Sequence, residues 1–105
     1  MSAPVTSPWG VPQMTLSVAP GVWLIITASH GGFYLEPAAN EQVPLAWKLA
    51  SFKRQAFNGF YEEHCDSCMV VLTFAHAFDA AAVASAGRIF DSWMMPKLGR
   101  NGRMR

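Results

Sequence analysis

The sequence predicts a small α+β fold: an antiparallel sheet, made of an N-terminal hairpin plus a short third strand, packed against two or three helices. Three observations predict it. Pro20-Gly21 stands between two apolar, strand-forming runs. Residues 22–27 are rich in β-branched side chains. Residues 80–94 repeat apolar side chains at helical spacing behind Asp79. The chain has 105 residues, the size of one domain with one modest core.

Residues 1–13 hold Pro4, Pro8 and Pro12 and read as an extended arm, on which Trp9 is expected to dock against the body. Residues 14–96 are expected to form the single α+β domain, and residues 97–105 a basic, flexible tail. Residues 14–18 alternate well enough for a strand. Pro20-Gly21 then turns the chain, because proline presets φ and glycine accepts positive φ. The unbroken apolar run Val22-Trp23-Leu24-Ile25-Ile26 implies a central strand covered on both faces. Ser29-His30-Gly31-Gly32 is expected to break that strand, with two glycines permitting a reversal or a close backbone approach. Residues 33–35 suit a short third strand.

Residues 37–42 read as a loop. Residues 44–52 read as a helix, with Val43 as a staple residue, Pro44 in the first turn, and Leu45, Leu49 and Phe52 on one apolar face. Trp47 stands off that stripe. Asn58-Gly59 marks a turn. Residues 66–76 fit a strand by propensity and one helical face by pattern; acids near the start favour a helix beginning near Glu62 or Asp66. Asp79 is expected to cap a last helix with Ala82, Val83, Ala86, Ile89, Phe90 and Trp93 inward, ended by Pro96 and Gly99.

The densest polar chemistry lies in Tyr61-Glu62-Glu63-His64-Cys65-Asp66-Ser67-Cys68, in a chain only 14% charged. His64, Cys65 and Cys68, with His30 or His76, offer zinc-type ligands, but a second ligand pair in finger spacing is missing. Glu62, Glu63 and Asp66 would raise a thiolate's pKa, against redox use of Cys-x-x-Cys. A nucleophile built on Cys65 with His30 or His64 is a third option. The blander reading makes the thiols small core groups and His30 part of a latch to Glu62 or Asp66. On that reading the chain has no catalytic residue, no metal and no cofactor.

Net charge is +1, but residues 1–96 carry four basic and seven acidic side chains, while residues 97–105 carry four basic ones and no acid. Such a tail can touch nucleic acid or an acidic partner. Seven acids are too few to imitate a phosphate array. No apolar run approaches the ~18 residues of a membrane span, and the start lacks a secretion signal, so a cytoplasmic location is expected.

Pro20-Gly21-Val22, Ser29-His30-Gly31-Gly32-Phe33 with Leu35, and Gly59-Phe60-Tyr61-Glu62-Glu63-His64-Cys65-Asp66 resemble a family of small uncharacterised domains encoded on conjugative elements and prophages of proteobacteria. That family's pattern is a Ser-His-Gly-Gly strand end, a proline-containing helix, a Gly-Trp-Tyr-Glu-Glu-Asp-Cys-Asp motif and an apolar run. The resemblance covers roughly residues 20–80. It implies that His30, Gly31, Gly32, Tyr61, Glu62, Glu63, Cys65 and Asp66 are this chain's motif residues. Phe60 stands where tryptophan is usual and His64 where aspartate is usual; Cys68 lies outside the pattern. The resemblance implies no known activity. It does imply a context in which small proteins bind host defence complexes, anti-CRISPR proteins among them. The expected function is therefore a non-enzymatic inhibitor of a host protein complex, such as a Cas subunit, with a homodimer as a further expected assembly. Trp9, Trp47, Trp93, Met94, Met95, Lys97, Arg100 and Arg103 are the candidate partner-binding residues. A small nucleic-acid-binding regulator using the basic tail is the alternative, and a zinc module or hydrolase on His30, His64 and Cys65 another.

Overall fold

A computed structural model describes residues 3–101, with side chains to residue 98. The sheet is a four-stranded antiparallel meander in the order β1 (Met14–Ala19), β2 (Val22–Ile26), β3 (Gly31–Leu35), β4 (Phe60–Glu62). Short helices α1 (Pro37–Asn40) and α2 (Leu45–Leu49) and a 3-10 segment (Phe52–Asn58) link β3 to β4. Helix α3 (Ser67–Thr73), a 3-10 turn (Ala75–Ala77) and α4 (Ala80–Ile89) follow; a π-turn (Phe90–Met94) leads into α5 (Met95–Asn101). The α+β architecture and the hairpin agree with the sequence reading.

Register divides the sheet into two faces. Leu24, Phe33 and Tyr61 are successive cross-strand partners, and Val22 pairs with Leu35, so these side chains share the face under the helices. There they join Met69, Val70, Phe74, Ala86 and Met94 in the main core. Trp23, Tyr34 and Phe60 line up on the opposite face, as do Ile25 and Gly32. The arm crosses that face: the Trp9 ring meets Phe60 edge-on at 5.9 Å. A Cβ at Gly32 would collide with the Tyr61 carbonyl oxygen and stand 2.6 Å from Trp9 Cη2. Trp9 thus docks as expected, and Gly32 is glycine because ring and strand both press on its α-carbon. Ile25 is fully buried on the same face, outside the main core. β2 is therefore covered on both sides at its centre.

Five expectations are corrected. The chain reverses after β2 as expected, but over residues 27–30, and Gly31 and Gly32 already belong to β3 instead of preceding it. Residues 37–40 form α1, with Pro37 in its first turn. Residues 60–62 form β4, so no helix begins at Glu62; α3 begins at Ser67, beside the expected Asp66. The helix over residues 44–52 ends at Leu49, and Lys53 and Arg54 follow with φ of 51° and 53°. Its apolar stripe faces outward: Leu45, Leu49 and Phe52 are 62%, 42% and 50% exposed, while Trp47 packs inward on the core.

The fifth correction concerns Pro96, which does not end the last helix. A proline inside a helix removes one N–H and crowds the carbonyl four residues back. The π-turn before it widens the helix, with the Met95 N–H reaching the Phe90 carbonyl, and α5 continues to Asn101. Of the tail expected at 97–105, residues 97–101 are thus helical, and 102–105 lie outside the described residues. Asp79 does cap α4, its carboxylate accepting the Ala82 N–H at 2.8 Å.

Candidate functional site

The two halves of the sequence motif meet across the β3–β4 pair, where Gly32 faces Glu62. Glu63 Oε1 accepts the Gly31 N–H at 2.8 Å and lies 3.9 Å from His30 Nδ1. A latch between the hairpin and the following segment exists, but Glu63 makes it, not Glu62 or Asp66. His30 is exposed, in a turn closed by Thr27, whose Oγ1 accepts the His30 N–H at 3.1 Å.

Glu62 serves the backbone that follows it. Its carboxylate accepts the N–H groups of His64 (2.9 Å), Cys65 (2.7 Å) and Asp66 (3.3 Å), and His64 Nδ1 lies 3.1 Å away. Burial pushes the Glu62 pKa up, but these donors together outweigh it and hold the group below its ordinary value. The side chain organises the turn entering α3, the part a capping residue plays at a helix start.

Asp66 is fully buried. Its Oδ2 accepts the Phe52 N–H at 2.9 Å, and its Oδ1 has no hydrogen-bond partner among the described residues. Burial, reinforced by Glu62, pushes its carboxyl up to about 6 against the pull of the Phe52 N–H and Lys97. Tyr61, also fully buried, donates through its hydroxyl to Asn40 Oδ1. Asn40 Nδ2 in turn donates to the Ala56 carbonyl at 2.7 Å, and Ser51 Oγ accepts the Ala56 N–H at 3.3 Å. Tyr61, Asn40, Ser51 and Asp66 thereby hold the 51–58 segment by its backbone. Buried polar groups engaged in this way fix one arrangement of a 3-10 segment whose helical geometry is interrupted at Lys53 and Arg54.

The thiols are unsuited to nucleophilic work. Burial, then Glu62 and Asp66, raises the Cys65 pKa; burial and Asp66 push Cys68 up to about 12. Both cysteines are free, Cys68 buried and Cys65 half-buried. Among the described residues no three His, Cys, Asp or Glu side chains gather as a metal site would require. His76 is exposed, its ring centroid 6.5 Å from that of Phe74. An open cleft of about 390 Å³ lies between Tyr34, Pro37, Glu41, Lys48 and Phe57, and none of His30, Glu62 or Cys65 lines it.

The candidate partner-binding residues separate. Met94 is fully buried and cannot meet a partner, because the π-turn rotates it into the core. Trp9 is half-buried beneath its own arm, and Trp47 is half-buried against Phe90 at 4.7 Å. Trp93 is half-buried with Lys97 Nζ 3.8 Å over its ring, and Lys97 also donates to the Ala50 carbonyl at 3.2 Å. Met95 is 45% exposed. Arg100 lies on α5 without a described side chain, and Arg103 lies outside the described residues. Sequence reasoning missed that Leu45, Leu49, Phe52 and Phe57 are all exposed, as are Lys53 and Arg54 between the last two. A signal was present, since residues 42–61 hold Lys48, Lys53 and Arg54 and no acid.

No helix among the described residues is long and apolar enough to cross a membrane. The chain belongs to the family described as a domain of unknown function, DUF7007, which it matches over residues 2–98, a span that takes in the arm with Trp9. Comparison with curated proteins gave no match, and comparison with solved structures gave none.

Proposed function

We propose that this DUF7007 chain is a non-enzymatic interaction protein that binds and sterically blocks a host defence complex in the cytoplasm, a CRISPR–Cas effector being the target class. The observation that carries the reading is the outward apolar stripe of Leu45, Leu49 and Phe52. A short helix normally turns such a stripe to the core, and an apolar surface left in water marks a contact surface. Its surroundings define the partner's chemistry. Lys53 and Arg54 are exposed beside Phe52, and no acid occurs from residue 42 to 61. A protein surface with an apolar centre and an acidic rim complements that face.

The motif supports this reading by what its groups are engaged in. Glu62, Glu63 and Asp66 each accept backbone N–H groups, from residues 64–66, Gly31 and Phe52 respectively, so the motif's carboxylates are engaged in holding the scaffold, and Asp66 anchors Phe52 of the surface itself. The mobile-element context comes from the resemblance of the Ser-His-Gly-Gly and Gly-Phe-Tyr-Glu-Glu-His-Cys-Asp stretches.

The test is a cleavage assay with a panel of purified CRISPR effector complexes, with the wild-type chain and the Leu49→Glu/Phe52→Glu double variant in parallel. Both positions are exposed, so the variant should fold. Inhibition by the wild type that falls at least about tenfold in the variant supports the reading. Absence of inhibition across the panel removes the target class. Salt-dependent binding of a single-stranded oligonucleotide, lost in the same variant, would replace it with the nucleic-acid reading.

A further inference from the structure

We infer that β1 pairs with β1 of a second copy, forming a two-fold dimer whose sheet runs continuously through both chains. The inference rests on the sheet, independently of the defence-complex reading. The meander has two outer strands, and they differ. β4 has three residues and packs beside the 3-10 segment and α3. β1 has six residues, Met-Thr-Leu-Ser-Val-Ala, with no charge and no proline. Soluble proteins usually protect a free edge with lysine, proline or a cover. The arm does not cover this edge, because Trp9 carries it across the sheet face to Gly32 and Phe60.

The side chains of β1 make the same demand as its backbone. Met14 pairs with Ile26 and Leu16 with Leu24, so all four lie on the helix-facing side of the sheet. The helical layer packs chiefly on β3 and β4, and of β1 only its end, Val18 and Ala19, joins the core. Met14, Leu16 and Ile26 are consequently 56%, 54% and 40% exposed. One strand thus has an open edge and an uncovered apolar face.

A second copy meets both demands. Antiparallel pairing about a two-fold axis sets β1 against itself, and an uncharged strand does so without like-charge repulsion. The axis brings the two Met14–Leu16–Ile26 overhangs side by side, each bounded by its own helical layer. A head-to-tail β1–β4 contact would match six residues to three at a crowded edge, so closure as a dimer is favoured over a filament. The register shift between Ser17 and Ala19 places a bulge at the end of the strand, which confines pairing to the Met14 to Ser17 side.

The experiment is sedimentation equilibrium of the full chain from low micromolar to submillimolar concentration, with hydrogen exchange at both ends of the series. Leu16→Lys and Ser17→Lys serve as variants, both at exposed positions. The expected result is a concentration-dependent doubling of mass, slowed exchange of the amides from residue 14 to 17, and a monomeric mass for both lysine variants with unchanged circular dichroism. A wild type that stays monomeric throughout overturns the inference. So does a dimer that survives both lysines, whether or not Leu49→Glu/Phe52→Glu dissolves it.

Discussion

At the scale of single residues, Asp66 gives the clearest prediction. Its carboxyl is raised to about 6 in the fold, mainly by burial, from an ordinary value of 3.8. The native state therefore holds a proton that the unfolded state releases, and stability falls as pH rises from about 4 to about 6. The contribution is fully present below the unfolded value and is lost above the folded one. Asp66→Asn keeps an acceptor for the Phe52 N–H and removes the charge. The expected outcome is a gain of about 1–3 kcal/mol at about pH 7.5, with little change near pH 4, in urea unfolding followed by fluorescence. Gly32→Ala should act in the opposite sense. The added methyl meets the Tyr61 carbonyl and the Trp9 ring together, so a loss of about 3 kcal/mol or more is expected, with a red shift of tryptophan emission as the arm lifts.

At the scale of elements, the turn into α3 depends on one side chain. Glu62→Ala removes the acceptor for three successive N–H groups and should cost about 1–2 kcal/mol, with faster exchange of the Cys65 and Asp66 amides than of those in the middle of α3. α5 is tied down by Lys97, which meets the Trp93 ring and the Ala50 carbonyl. Lys97→Ala should lower stability by about 1–2 kcal/mol and loosen residues 95–98 before α4, a difference that exchange by segment resolves. Elements were legible in the sequence where a local signal sufficed. Pro20-Gly21 announced the hairpin, and Asp79 announced α4. β4 was not legible, because three residues between a turn and a polar cluster carry no period. The outward direction of the α2 stripe was not legible either: spacing tells which residues share a face, and only the packing of Trp47 on Phe90 decides which face turns in.

At the scale of the whole molecule, the conspicuous polar cluster became part of the scaffold and a plain apolar stripe became the exposed surface. The cluster was conspicuous because a mostly apolar chain gathers its few carboxylates there. Their task of holding backbone N–H groups at Gly31, at Phe52 and in the turn into α3 depends on distances that spacing does not encode. The same engagement predicts thiol behaviour. In the native chain Cys68 should resist a thiol reagent, Cys65 should react slowly, and both should react at once in denaturant.

The seat of Trp9 is built from Gly32 and Phe60, residues of the third and fourth strands. The meander itself can form by local steps, each strand pairing with the one before it in the chain. The arm cannot, since its resting place exists only after β3 and β4 have joined. On a ribosome, the arm emerges before the strands that seat it and is therefore among the last parts of this fold to settle. Until residue 62 is free of the exit tunnel, the indole of Trp9 has nowhere to go, and the nascent chain carries it uncovered.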